Sequence, residues 1–233
     1  MCIRDRAWVS LGLVADLIFV FAKTDPAAGH RGISCFMVDG DNPGLHRGGK
    51  EELLGMRGLA TGQLLFENCR VPETSRIGAE NSGFKMAMEN FNYSRILMAT
   101  MALGITIAGY EDALSYSRER VQFGQQIFDF QSIQFMLADM STDIAAARLM
   151  IDHTIRLLEG GYPIIQQAAQ AKLFTTDMAM KHVTNAVQIH GGNGYSKSYR
   201  VERLFRDIKL AQIYEGTNQI QRLIIAKQLE INH

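Results

Sequence analysis

The run from residue 131 to Gly161 constrains this chain more than any other. Ile133, Met136, Leu137, Met140, Ile144, Ala147, Ile151, Ile155 and Leu158 recur three or four residues apart. That spacing puts apolar side chains on one stripe of an α-helix. Gly160 and Gly161 follow at once and supply the stop expected at a helix C-terminus. A stripe of this length needs partners to cover it, and the chain offers three. Residues 84–120 carry Met, Ala, Leu and Ile at helical spacing without proline, predicting one long helix with Tyr93 as its one candidate break. Pro163 opens a third helix in its first turn, running to about His190, where Gly191, Gly192 and Asn193 end it. A fourth starts at Thr217, a good N-cap, and sets Ile220, Leu223 and Ile224 on one face. Four amphipathic helices with short to medium connections predict a helical bundle over 84–233.

The preceding residues, 7–83, have the punctuation of an all-β unit. Apolar runs at 16–22, 33–38 and 63–66 are separated by the turn clusters DPAAGHRG and DGDNPG. Ile18, Phe19, Val20 and Phe21 read as a buried strand ending at Lys23. The expected fold class is therefore α+β, mostly α, with a partial β-domain ahead of a four-helix bundle. MCIRDR and the apolar run after it superficially suggest a signal peptide, but Asp16 interrupts the run and no small-residue cleavage site follows. The run is also too short for a membrane span. GLHRGGK at 44–50 meets the G-x-x-x-x-G-K part of a phosphate loop, yet Glu51 stands where Ser or Thr must hold magnesium. A positively charged hairpin tip is the better reading.

The chain carries 24 basic and 24 acidic side chains, so charge gives no reason to expect nucleic acid or an anionic membrane as partner. Cys2, Cys35 and Cys69 are too few and scattered for a disulfide framework, and reduced thiols are expected. A di-iron bundle needs Glu-x-x-His pairs on two of its helices; the sequence holds one such spacing, Glu230 and His233, and His153, His182 and His190 lack ligand spacing. No metal is expected. GGNGYSK at 191–197 follows a helix rather than a strand, so it is not a dinucleotide fingerprint.

The chemistry concentrates in 207–222, DIKLAQIYEGTNQIQR. Glu215 stands between the ring of Tyr214 and Gly216, a residue that lets a flat ligand approach the backbone closely. A carboxylate in a short loop against apolar surface has the equipment of a general base. Burial and the neighbouring helix N-terminus would move its pKa in opposite directions. In RERVQFGQQIFDFQ, Arg120 could clamp a phosphate in bidentate fashion or pair with a surface carboxylate. Gln122 and Phe123 add an amide and an aromatic face. Trp8 could fill a hydrophobic corner and Ser10 cap a strand.

The stretches RxQFG…FQ, QIxGGxGY and IYEGT occur in that order, and with WVS near the N-terminus they resemble the acyl-CoA dehydrogenase family from about Ala7 onward. The resemblance implies a bundle of acyl-CoA dehydrogenase type, FAD as cofactor, and desaturation of an acyl-CoA with Glu215 as catalytic base. It assigns flavin contacts to Trp8 and Ser10, to Arg120, Gln122, Phe123 and Gln131, to Gln188, Gly191 and Gly192, and to Thr217 and Gln219. It assigns substrate contacts to Phe91, Arg95, Tyr214 and Gly216, with Arg95 at a CoA phosphate or the adenine. Some family members carry the base at the place of Tyr93 and Ser94, where this chain has no acid. The family pattern further implies an electron-transfer flavoprotein as acceptor and a homotetramer built as a dimer of dimers. It places such enzymes in the bacterial cytoplasm or the mitochondrial matrix. An acyl-CoA oxidase using oxygen and a non-catalytic helical assembly module are the competing readings. MCIRDR matches nothing in the family, so residues 1–6 are expected to be a non-native leader on a fragment lacking the family's N-terminal helical domain and first β-strands.

Overall fold

A computed structural model describes residues 5–231. Cys2 and most of the expected leader lie outside that range, while Asp5 and Arg6 open the first strand. The chain divides into two compact units, 1–90 and 91–233.

Among the described residues, the first unit holds six antiparallel strands in two sheets. β1 (Asp5–Val9), β5 (Gly62–Phe66) and β4 (Leu45–Lys50) form one, in that order. β2 (Leu17–Lys23), β3 (Ile33–Asp39) and the short β6 (Arg76–Ile77) form the other. β2 and β3 pair without a slip from Leu17↔Asp39 to Lys23↔Ile33. Between them DPAAGHRG winds into a 3-10 segment, Pro26–Gly32, capped by Asp25, whose carboxylate accepts from Ala27 N at 2.9 Å. Ile18, Leu45 and Leu64 make a small core with Val9, Ala15, Val20 and Phe66 against it.

Two expectations are corrected here. β2 is not buried on both faces: Ile18 points inward while Phe19 is 61% exposed, because the strand's period of two sends alternate side chains to opposite sides. GLHRGGK is not a hairpin tip but largely strand β4, with Leu45, His46 and Arg47 opposite Phe66, Leu65 and Leu64. Its Arg47 is a structural cation, donating to the carbonyls of Gly12, Gly40 and Ala15 at 3.2, 2.9 and 2.7 Å.

The second unit is helical. α1 (Gly83–Glu119), which begins in the first unit, runs unbroken through Tyr93. α2 (Gln131–Glu159) and α3 (Ile165–His190) follow. α4 (Val201–Ile208) is a short helix that sequence analysis missed within a charged segment. α5 (Asn218–Ile231) closes the described chain. Ile96, Ala99 and Leu103 of α1, Ala147 and Ile151 of α2, and Ala168, Ala171 and Met178 of α3 share one core. α1 is long and apolar enough to cross a membrane by length and composition, but the face carrying these residues is packed against α2 and α3. α3 lies against α2, α4 and α5. Its run of fully buried alanines (168, 169, 171, 179 and 186) lets those neighbours come close.

The hairpin 121–126 between α1 and α2 explains the aromatic loop. β7 (Val121–Gln122) and β8 (Gln125–Gln126) are joined by Phe123 at φ +54° and Gly124 at φ +82°. Positive φ at both central residues is what a type I′ hairpin requires. Phe123 is held out at 94% exposure.

Candidate active site

Glu215 sits in the bend between the 3-10 turn Lys209–Gln212 and α5, with φ +54°, and Gly216 follows at φ +86°. A non-glycine residue in the left-handed region costs about 1–3 kcal/mol and persists only where its surroundings over-determine it. Here they do. Gln221, fully buried in the first turn of α5, donates Nε2 to the carbonyls of Glu215 and Gly216 at 3.2 and 2.9 Å. Lys172 of α3 donates Nζ to the same Gly216 carbonyl at 2.9 Å and to Asn218 Oδ1 at 2.8 Å. A Cβ on Gly216 would come within 2.8 Å of Gln221 Nε2, so glycine is required for both its backbone and its space. Thr217 caps α5 as its sequence suggested, accepting from Ile220 N at 3.3 Å.

The half-buried carboxylate of Glu215 faces α1. Ser94 Oγ donates to its Oε2 at 2.6 Å. Arg95, 8% exposed, donates Nη1 to Asn92 Oδ1 at 2.8 Å, while its buried Nε has no partner among the described residues. Burial pulls the Arg95 pKa down and the Glu215 carboxylate pushes it up, so the guanidinium lies within the field of the base. The resemblance assigns Arg95 to CoA; the structure sets it beside Glu215 with one donor still to be filled. Tyr214 gives its hydroxyl to Met101 Sδ at 3.4 Å, and burial with Glu215 nearby raises the phenol to about 12. The Glu215 N–H has no acceptor among the described residues. One turn thus presents a carboxylate and a free amide donor from the same residue, the pairing needed to take a proton while stabilising a developing oxyanion.

A second cluster lies at the end of α1. Arg120, Gln122, Gly191 and Gly192 line one hollow of about 370 Å³ with Tyr116, His190 and Asn193. Tyr116 stacks on His190 at 4.3 Å between ring centroids and accepts from Asn193 Nδ2 at 2.9 Å, which fixes the wall. Gly191 has φ +58°, and a Cβ at Gly191 or Gly192 would point into open space. Arg120 is exposed and its guanidinium makes no hydrogen bond or ion pair among the described residues, so the surface-carboxylate alternative finds no partner there. A free planar cation opposite backbone stripped of side chains suits an anionic oxygen group.

The remaining expected residues fall outside these clusters. Gln188 is exposed on α3, with its carbonyl accepting from Gly191 N. Gln131 and Gln219 are exposed in the first turns of α2 and α5, and Phe91 is half-buried on α1. Trp8 and Ser10 belong to the first unit. Trp8 has φ +59° within the β1–β5 register break between Arg6 and Val9, and its ring is 66% exposed. Among the described residues no three His, Cys, Asp or Glu side chains gather as a metal site.

Sequence analysis missed Lys172, Gln221 and Asn218. It considered Ser94 only as a place without an acid. A lysine in AAQAKLFTTD at helical spacing reads as solvent-facing. The available signal was that Lys172 falls on the face of Ala168, Thr175, Thr176 and Ala179, all fully buried.

The α+β chain of mostly long helices that carries this turn defines a class by its fold, and comparison agrees on the family. The chain belongs to the acyl-CoA dehydrogenase family: residues 5–69 match its middle domain and residues 81–230 its C-terminal domain. An acyl-CoA dehydrogenase of Bacillus subtilis is 47% identical over 97% of this chain and 59% of its own length. The structure of butyryl-CoA dehydrogenase from Megasphaera elsdenii superposes with a TM-score of 0.95 at 42% identity, over 97% of this chain and 59% of that one. A chain solved in work on the electron transferring flavoprotein of Acidaminococcus fermentans and flavin-based electron bifurcation matches with the same TM-score, 44% identity and the same coverage. The chain thus spans somewhat more than half the length of the relatives it matches.

Proposed function

We propose that the whole protein to which this chain contributes is an FAD-dependent dehydrogenase of acyl-CoA thioesters. The observation that carries the reading is Glu215, its carbonyl held by Gln221, that of the next residue Gly216 held by Lys172, and its carboxylate held by Ser94, with its own N–H left open among the described residues. The α-C–H of a thioester is too weak an acid to ionise unaided in water. Glu215 would remove that proton while its N–H donates to the thioester oxygen, where negative charge develops. A base so positioned contributes about 10²–10⁴-fold. When bound, FAD supplies the acceptor for the β-hydride.

The hollow at Arg120 fits the pyrophosphate of such a cofactor. Arg120 offers a fork of donors matched to phosphate oxygens, and Gly191 and Gly192 let those oxygens approach the backbone. Gln122, Phe123, Gln131, Gln188, Thr217, Gln219, Trp8 and Ser10 are the further contacts, and Phe91, Arg95, Tyr214 and Gly216 those to substrate. Transfer of electrons to an electron-transfer flavoprotein is supported by the relative studied with such a partner. Assembly as a dimer of dimers is the family pattern, and a contact with a further chain near the hollow is supported by the exposed rings of Phe123 and Tyr195, 94% and 90% accessible on the two loops that line it.

The test is made on the full-length protein. It should purify with bound flavin, lose flavin colour anaerobically on addition of a saturated short-chain acyl-CoA, and regain it faster with an electron-transfer flavoprotein than with oxygen. Absence of flavin, or flavin indifferent to every saturated acyl-CoA, would overturn the reading.

A further inference from the structure

We infer that Lys172 is a positioning residue for Glu215: its buried ammonium, bonded at once to the Gly216 carbonyl and the Asn218 side chain, fixes the two successive left-handed residues that aim the carboxylate. The inference rests on Glu215 being the base of the proposed reaction. Lys172 is fully buried on α3, 43 positions before Glu215 in the sequence (215 − 172). Around it stand Asp177 of its own helix, Arg95 of α1 and Glu215 itself, the two carboxylates favouring its charge and the guanidinium opposing it. Asp177 is engaged elsewhere, accepting from Asn218 at 2.6 Å, Gln212 at 2.7 Å and Arg222 at 2.9 Å. The ammonium is therefore spent on the turn that carries Glu215 and on the side chain of Asn218, which starts α5.

The charge on a lysine buried there does not serve the stability of the fold. Burial lowers its pKa from 10.5 to about 8. Between those two values the unfolded chain binds a proton that the folded one releases, so stability rises with pH across that window. At neutral pH the buried charge is a burden that an apolar side chain of similar length would remove. Both acceptors would also keep a partner without it. The Gly216 carbonyl retains Gln221 Nε2 at 2.9 Å, and Asn218 Oδ1 lies 3.2 Å from Thr176 Oγ1, whose proton now goes to the Lys172 carbonyl at 2.8 Å. What a substitution removes is the tie from α3 to the base, together with one cation near its carboxylate.

The experiment is Lys172→Met in the full-length holoenzyme, followed by kcat, KM and thermal midpoint against pH. We expect kcat to fall by about tenfold or more, the order of effect that small misplacements of a reacting group produce. KM should stay within about threefold, and the midpoint at pH 7 should be equal to or above that of the wild type, the difference closing as pH approaches 10. The stability arm needs no substrate, so it reads Lys172 even if the proposed reaction is wrong; a wild type unable to turn over acyl-CoA would sink the reaction reading instead. Should the variant not fold, Lys172→Gln carries the test: its shorter amide removes the cation and can reach at most one of the two acceptors, and kcat should fall while KM stays flat. Native kcat in the variant, or a kcat loss matched by a lower midpoint, would overturn the inference.

Discussion

Ser94 Oγ donates a 2.6 Å hydrogen bond to Glu215 Oε2, joining residues 121 positions apart in the chain. At that length an O–H···O⁻ bond belongs to the charge-assisted kind. It sets one carboxylate oxygen against α1, while the other accepts no hydrogen bond among the described residues. The residue doing this occupies the place where some family members carry their base, so one site on α1 either supplies the carboxylate or steers it.

Ser94→Ala should therefore lower kcat by about tenfold with KM changed less than about threefold. Loss of position is costly because proton transfer requires near-attack geometry. Steady-state kinetics on the full-length enzyme check this. An unchanged kcat would mean that Ser94 merely satisfies Glu215 in the free protein.

Arg120→Ala should weaken flavin retention by about 10–100-fold, the worth of hydrogen bonds to a charged group. Arg120→Lys should recover only part of it, because an ammonium lacks the planar fork. Flavin titration by fluorescence gives the affinities. The midpoint of the flavin-free protein should not move, since the guanidinium is exposed and holds nothing else among the described residues.

His182 of α3 is fully buried, with Nε2 2.6 Å from Asp143 Oδ2 and Nδ1 without a partner among the described residues. Burial lowers its pKa below 6.5, and the bond to Asp143 offsets part of that shift. Below pH 6.5 the unfolded chain takes up a proton that the folded chain resists, so the stability present above 6.5 is lost as pH falls. A falling midpoint from pH 6.5 to 5, flatter in His182→Gln, is the expected result. Parallel curves would show that His182 titrates as it does in the unfolded chain.

Much of the architecture was legible because periodic burial dictates it. The stripe from Ile133 to Leu158 gave α2, and Gly160 and Gly161 gave its end. Pro163 and Thr217 announced α3 and α5, with helices starting at Ile165 and Asn218. α4 escaped because eight residues make barely two turns, and Val201, Leu204 and Ile208 are its only buried side chains. β4 escaped because GLHRGGK lacks branched residues, and pairing with β5 overrides that weak propensity. Glu215, Arg120 and the glycines at 191 and 192 were legible as types suited to their chemistry. Lys172, Gln221 and Asn218 were not, because their role is to bond backbone brought near by folding, and no local pattern encodes such contacts.

The central claim is that Glu215 takes the proton, and Glu215→Gln in the full-length protein tests it most directly. The amide keeps the shape of the side chain and its acceptor for Ser94 but cannot act as a base. Flavin reduction by a saturated acyl-CoA should be followed anaerobically in a single turnover. The account expects bound flavin and bound acyl-CoA as in the wild type, with the rate of flavin bleaching lowered by at least about 10²-fold. Bleaching at an undiminished rate would contradict it.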